Sequence, residues 1–341
     1  MISFMKAYEI HEFGIDNLKD VELETPEPGP TEVLVKFHAA SLNFRDAMVI
    51  KGEYNPRMKL PAIPLSDGAG EVTAVGDVVT KWHIGDRVIP IMVQRWFDGQ
   101  SSDETRRTAI GAGSGWNGVL REFAVFDQEG LVAIPEHLSY EEAATLPCTG
   151  VTAWNALRVS GNVQPGETVL TQGTGGLSIF AVQFGKLFGA NVIATSSGDE
   201  KLEKLKALGA DETINYRTRE DWDRAVLELT DKRGVDHVIE VGGAGTLAKS
   251  INAVRVSGHI AMIGALDAEG TFNHVPIFMK SIRLQGIFVG SKAMFEEMNA
   301  AITKNNFTPV IDRTFAFGEI KNALHYMESG AHFGKIVIRF H

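Results

Sequence analysis

A glycine-rich turn constrains this chain more than any other feature. The short run Thr168-Val169-Leu170-Thr171-Gln172 leads into Gly173-Thr174-Gly175-Gly176-Leu177-Ser178, and a helical pattern follows at once. In that pattern Leu177, Phe180, Ala181, Phe184, Leu187 and Phe188 fall on one stripe at the helical period, the face that would pack on a sheet. A glycine in such a turn permits the sharp reversal, and another lets the backbone approach a pyrophosphate whose charge the helix N-terminus stabilises. Gly173, Gly175, Gly176 and Leu177 are therefore candidate dinucleotide contacts. The last position of the usual G-x-G-x-x-G is Ser178, so the fingerprint is imperfect. The bland alternative is a glycine-rich turn that holds no ligand.

The context favours the ligand. From about Gln164 onward short apolar strands alternate with helical segments, with strands expected near 167–172, 191–195, 212–215, 236–240, 259–263 and 284–288. Strands alternating with crossover helices make a parallel, doubly wound α/β sheet. The second helix is expected to open with a capping box at Ser197-Gly198-Asp199-Glu200 and to bury Leu202, Leu205 and Leu208. The earlier part of the chain is different in texture. Runs such as Glu32-Val33-Leu34-Val35-Lys36-Phe37, punctuated by Pro26-Glu27-Pro28-Gly29-Pro30, read as a β-rich domain, and the polar 91–117 segment reads as a mobile surface lobe.

Size and charge limit the partners. A length of 341 residues suits about two domains. With 33 Lys plus Arg against 43 Asp plus Glu, the net charge of −10 offers no general attraction to nucleic acid or anionic membrane. Cys148 is the single cysteine, so an internal disulfide and a multi-cysteine zinc cluster are both excluded. The chain shows neither a secretory signal pattern nor an apolar run of about 18 residues. A cytoplasmic protein acting on a small molecule is the expectation.

The second strand of the doubly wound part selects the nucleotide. An NAD site usually places Asp or Glu there, on the ribose hydroxyls. Here the strand ends Ala194-Thr195-Ser196-Ser197, with no carboxylate to repel a 2′-phosphate. Ser196, Ser197, Lys201, Tyr216 and Arg217 are candidate donors, which favours NADPH while leaving NADH possible; Lys201 and Arg217 can equally be solvated helix and loop charges.

Two further motifs carry a family resemblance: Gly68-Ala69-Gly70-Glu71-Val72-Thr73-Ala74-Val75-Gly76 continuing to Ile84-Gly85-Asp86-Arg87-Val88, and Leu146-Pro147-Cys148-Thr149-Gly150-Val151-Thr152-Ala153-Trp154. The chain resembles the medium-chain dehydrogenase/reductases almost throughout, ending at Phe333-Gly334-Lys335-Ile336-Val337-Ile338. The resemblance implies a Rossmann domain at 150–286 and a β-rich GroES-like catalytic domain at 1–149 with 287–341. It also implies cofactor contacts from Thr152, Gly242, Ile263, Gly264, Phe288, Val289, Phe333 and Lys335, and a homodimer paired through the Arg283–Phe288 strand.

Zinc-dependent members hold their catalytic metal at positions that match Asn43, Ser66 and Cys148 here. One thiol without imidazole or a second thiolate does not make the usual three-ligand site, so no zinc is expected. Cys148 is expected to be an inert thiol, and the histidines to be surface or satisfied core residues. Without a Lewis acid, conjugated carbonyls and quinones are the suitable hydride acceptors, as in the quinone reductase and 2-enoyl reductase branch that the sequence resembles. In that branch Asn43 would donate its amide to the substrate oxygen or hold a water there, with Asp46 fixing the local backbone. Tyr54 stands where the 2-enoyl reductases carry a proton-donating tyrosine, or it simply walls the site. The leading expectation is a zinc-free NADPH-dependent reductase. An alcohol dehydrogenase or aldehyde reductase of the same superfamily, and a nucleotide-binding protein with little catalysis, are the alternatives.

Overall fold

The computed structural model describes residues 3–264 and 270–340. The chain divides into two compact units, one formed by Met1–Val151 with Gly290–His341 and the other by Thr152–Val289.

In the second unit, six parallel strands lie side by side in the order Glu212–Asn215, Asn191–Ser196, Thr168–Gln172, Val235–Glu240, Val254–Met262, Arg283–Gly286. Strand order reverses between Thr168–Gln172 and Val235–Glu240, which makes their C-terminal ends the place where a doubly wound sheet binds ligands. The helix Gly176–Leu187 packs Phe180 and Phe184 inward, with Trp154 edge-on to Phe184 at 5.4 Å between ring centroids. Trp222, Val226, Leu247 and Ile251 from two later helices pack against Leu170, Ile193, Val238 and Ile260 of the strands. The buried face of Gly176–Leu187 is broader than the expected stripe: it takes in Ile179 and Val182, while Leu177 and Leu187 stay half-buried.

The expected capping box does not form. The strand runs through Ser196, whose carbonyl accepts from Tyr216 N, and the helix starts only at Asp199. Gly198 therefore falls at the N-cap, one residue beyond Ser197, and no side chain caps the helix. Asp199 accepts instead from Asn215 Nδ2 at 2.7 Å. Leu202 and Leu205 are buried as expected and Leu208 half-buried.

The first unit is built on a seven-stranded sheet and a two-stranded one. Its longest strand, Glu32–Ser41, alternates inward Val33, Val35, Phe37 and Ala39 with half-exposed partners, the period of a strand lying on a core. The Gly68-Ala69-Gly70 motif has a steric reason: a Cβ on Gly70 would lie 2.2 Å from the Lys36 carbonyl, beside the irregularity in the pairing of Asp67–Val75 with Glu32–Ser41. The 91–117 segment is not a free lobe. Ile91, Met92, Val93, Trp96, Ala109 and Ile110 are buried, and Val93 bridges to Ala109, so what faces outward is Arg95 and the stretches around 97–107 and 113–117. Their polar residues masked the spaced apolar anchors at either end.

Candidate active site

The glycine turn sits at the reversal point of the six-stranded sheet. Gly173 has φ 73°, a conformation that L side chains rarely adopt, and a Cβ on it or on Gly175 would meet no other atom within 4 Å. The turn is thus both left-handed and open on its ligand side. Gly175 is the N-cap of Gly176–Leu187 and provides no side-chain cap, so the first N–H groups of the helix remain available to an anion. Ser178 explains the imperfect fingerprint: it is buried and donates its hydroxyl to Gln172 O at 2.6 Å, tying the helix to the strand. These features fit a dinucleotide pyrophosphate.

Across the reversal point, Glu240 is fully buried and organises the second loop. Its Oε1 accepts from Gly242 N at 2.9 Å, Gly243 N at 3.1 Å and Thr246 Oγ1 at 2.5 Å, and its Oε2 from Gln172 Nε2 at 3.0 Å and from Ser250 Oγ. Its backbone carbonyl accepts from Ile263 N at 2.9 Å and Gly264 N at 3.3 Å. A Cβ on Gly264 would meet Val241 O at 2.1 Å. Gly242, Ile263 and Gly264 are thereby fixed at adjoining strand ends, with Gly173 and Gly175 beside them in the same sheet. Ser196 is buried at the end of the second strand; Ser197 and Lys201 are half-buried and Tyr216 and Arg217 exposed just beyond. Thr152 is buried in this unit too, and Phe288 and Val289 follow the edge strand, with Val289 O accepting from Asn155 Nδ2 at 2.7 Å. The sequence reading missed Glu240. An acidic residue closing an apolar strand directly before Val241-Gly242-Gly243 was the available signal.

The first unit gathers a polar cluster from four distant segments. Lys335, only 2% exposed, donates from Nζ to Leu42 O and to Asn43 Oδ1, each at 2.7 Å, and lies 3.8 Å from Asp67 Oδ2. Asp67, also buried, accepts from Ser66 Oγ at 2.7 Å and from Cys148 N at 3.2 Å. Asp46 Oδ2 accepts from Asn43 N at 2.8 Å, which fixes the start of the helix Phe44–Ile50, and its Oδ1 faces Arg45 Nη2 at 3.5 Å.

An ammonium only donates, so the Asn43 atom it touches has to be the amide oxygen. Asn43 Nδ2 is left as a buried donor without a partner. Lys335, expected to contact cofactor, thus has its ammonium engaged inside the β-rich unit. Phe333, in the same C-terminal segment, is buried, with its N–H on Asp312 Oδ1 at 3.0 Å. Tyr54 is 41% exposed, and its backbone N–H donates to Met48 O.

Burial sets the protonation of the cluster. It raises the Asp46 carboxyl to about 6, with Arg45 opposing. It lowers Lys335, against the pull of Asp67. It pushes the Cys148 thiol up to about 12, with Asp67 adding to the rise. Cys148 is therefore a thiol at neutral pH and a poor nucleophile. The buried histidines are satisfied elsewhere, His237 with Glu167 at 2.9 Å and His259 with Ser160 at 3.0 Å.

Of the positions matched to a catalytic zinc, only Cys148 has a usual ligand type: Asn43 Oδ1 accepts from an ammonium and Ser66 donates to Asp67, whereas zinc is ordinarily held by thiolate, imidazole or carboxylate. Among the described residues no group of three or more His, Cys, Asp or Glu is placed to hold a metal ion.

Comparison with known proteins is consistent with this architecture. Residues 29–136 match the model of the alcohol dehydrogenase GroES-like domain, and residues 176–304 that of the zinc-binding dehydrogenase. The chain belongs to the medium-chain dehydrogenase/reductase superfamily. A zinc-type alcohol dehydrogenase-like protein of Schizosaccharomyces pombe is 44% identical over 97% of this chain and 98% of its own length. A quinone oxidoreductase of Pseudomonas aeruginosa is 31% identical over 91% of each chain. A crystal structure of a Sinorhizobium meliloti protein bearing an alcohol dehydrogenase name superimposes with a TM-score of 0.93 at 39% identity, covering all of both chains. Superfamily membership makes the protein an oxidoreductase of a family that binds NAD(P), with a Rossmann-like unit and a GroES-like one. No helix among the described residues is long and apolar enough to cross a membrane.

Proposed function

We propose that this protein is a zinc-independent, NADPH-dependent reductase of α,β-unsaturated carbonyls or quinones. The observation that carries the reading is the Lys335–Asn43 contact: at the position where a zinc enzyme of the superfamily has a ligand, an ammonium holds an amide oxygen and leaves the amide N–H buried and unpaired. Such a buried donor stabilises negative charge developing on a carbonyl oxygen, the role otherwise taken by a Lewis acid. Reduced nicotinamide supplies the hydride when bound. As hydride adds to the β carbon of an enone, the π pair moves onto the carbonyl oxygen and is met by Asn43 Nδ2; a proton from Tyr54 or water then reaches the α carbon. The open left-handed turn at Gly173 and the carboxylate-free strand end at Ser196 and Ser197 support NADPH, with Lys201 and Tyr216 as contributors.

Alcohol oxidation is the second reading, and the names of the zinc-type relatives favour it. Enzyme dialysed against a chelator and offered enones, quinones and alcohols with each coenzyme separates the two. The expected outcome is reduction of conjugated acceptors, preferentially with NADPH and unchanged by added Zn²⁺; turnover of alcohols alone, restored by Zn²⁺, rejects the proposal. The edge strand Arg283–Gly286 pairs only with Val254–Met262 among the described strands, which supports a homodimer through its other edge, measurable as a doubled mass by light scattering. Action in a reducing, cytoplasmic setting accords with the single thiol.

A further inference from the structure

The cluster around Asn43 has more donors than it can satisfy. Both oxygens of Asp67 are occupied, by Ser66 Oγ and Cys148 N. Both oxygens of Asp46 are engaged as well, by Asn43 N and, at the long limit of a hydrogen bond, by Arg45 Nη2. Among the described residues the other hydrogen-bond partner of Arg45 is Ile110 O, also at 3.5 Å. Arg45 Nε and Nη1 are buried with no partner, and so is Asn43 Nδ2. Three orphaned donor nitrogens thus belong to two residues, two positions apart, that both reach the Asp46 carboxylate, Asn43 through its backbone N–H and Arg45 through Nη2.

Arginine is a costly way to pin a helix to a loop. Holding Ile110 O requires one neutral donor, whereas a guanidinium adds a charge that has to be desolvated and leaves two N–H-bearing nitrogens unsatisfied. Burial works against that charge, but Asp46, Cys148, Tyr54 and Asp67 together hold Arg45 above its ordinary value, so it remains a cation. Its contact with Asp46 and its side-chain exposure of only 12% place it beside the polar cluster rather than on an outer face. A donor-only set of this kind complements an acceptor-only ligand group. A ketone oxygen alone satisfies Asn43 and leaves Arg45 unmatched; a ketone with a carboxylate on the next carbon supplies acceptors for both.

We propose that Arg45 is the receptor for a substrate carboxylate, and that the acceptor reduced by this protein is an unsaturated 2-oxo acid, with its ketone oxygen on Asn43 Nδ2 and its carboxylate on Arg45. This assignment rests on the reductase reading for its chemistry and on the orphaned guanidinium for its charge. In the reaction, one hydride from reduced nicotinamide forms the new C–H bond at C4 of a 2-oxo-3-enoate. The C3–C4 π pair moves to give the enolate, and a proton from water or Tyr54 is added at C3. The products are the saturated 2-oxo acid and oxidised nicotinamide.

Benzylidenepyruvate and its methyl ester form a matched pair of probes, equally conjugated and differing in the carboxylate charge. Wild-type kcat/KM, followed by NADPH oxidation, is expected to favour the acid by about 10- to 100-fold, the range that a charge-assisted hydrogen bond supplies. Arg45→Met is expected to bring the acid-to-ester ratio to about one, and Arg45→Lys to restore part of it, since a point charge replaces a planar fork. Calorimetric titration of both probes into protein saturated with NADP⁺ repeats the comparison without turnover. Equal wild-type values for acid and ester in both measurements, or a preference that survives in Arg45→Met, overturns the proposal and leaves Arg45 as a helix-to-loop tie. Acid-selective binding that depends on Arg45, with neither probe reduced, upholds the carboxylate receptor and sinks the reductase reading. The wild-type ratio needs no variant, so a poorly folding Arg45→Met does not stop the test.

Discussion

The glycine turn and the polar cluster carry chemistry in opposite ways. In the turn, the candidate groups are backbone N–H donors, and their geometry is dictated by the three residues Gly173-Thr174-Gly175 between one strand and one helix, with the first turn of that helix. In the cluster, the functional groups are side chains from residues 43–46, 66–67, 148 and 335, brought together by the sheet pairing of Lys335–Arg339 with Glu32–Ser41 and of that strand with Asp67–Val75. The contrast teaches that backbone-coded sites can be read from a short sequence window, while side-chain clusters need the tertiary fold. It also separates the two halves of the expected reaction, coenzyme binding in one unit and substrate polarisation in the other.

Lys335 is where the comparison breaks most sharply. As a coenzyme contact its loss should raise the coenzyme Kd; as the residue that orients Asn43 its loss should act on kcat. Lys335→Met is expected to lower kcat for a conjugated acceptor by about 100- to 1,000-fold, the range seen when an oxyanion donor is lost, with coenzyme Kd changed by less than about threefold. A fall confined to coenzyme affinity, measured by fluorescence titration on protein shown by melting to be folded, would return Lys335 to the nucleotide.

The same cluster should leave a signature in stability against pH. Burial holds Asp46 near 6 in the folded protein, above its unfolded value of about 4, so folding binds a proton between those limits. The associated stability is present below pH 4 and lost as pH rises through about 6. A shift of about two units corresponds to roughly 2–3 kcal/mol. The difference in unfolding free energy between wild type and Asp46→Asn should therefore decline across pH 4 to 6 and level off above. A flat difference in urea titrations over that range would mean that Asp46 titrates as an exposed carboxylate.

The turn should respond in a different currency. At φ 73°, a side chain on Gly173 costs about 1–2 kcal/mol, and Gly173→Ala is expected to weaken coenzyme binding by about tenfold while leaving the cluster's pH signature intact. Loss of both together would show that the two regions are not independent.

How far the sequence carried follows from the same contrast. The six strands and the turn were legible because a period of two or 3.6, glycine placement and strand ends are local signals. The Ser197 capping box failed because the strand ran one residue further than the pattern suggested, passing the N-cap to Gly198. Lys335 was legible as a residue but not as the partner of Asn43, and Arg45 drew no reading at all. Nothing within ten positions of Lys335 announces Asn43, 292 residues away, or the buried carboxylate of Asp67. The Asn43 and Ser66 residues at the metal-matched positions were the one hint, since a buried Asp67 beside them calls for a cation nearby.

The smallest effect sharpens the nucleotide side alone. Ser197 is half-buried at the end of the second strand, followed by Lys201 and with Tyr216 tied to Ser196 O. A carboxylate introduced there would repel a 2′-phosphate and accept from ribose hydroxyls. Ser197→Asp is expected to shift the NADPH-to-NADH ratio of kcat/KM toward NADH by about five- to tenfold, an exposed electrostatic effect of about 1 kcal/mol that shrinks as salt is added. Because the substitution lies in the coenzyme unit, the acid-to-ester preference should stay as in wild type. An unchanged coenzyme ratio would place the 2′-phosphate elsewhere and remove Ser197, Lys201 and Tyr216 from its recognition together.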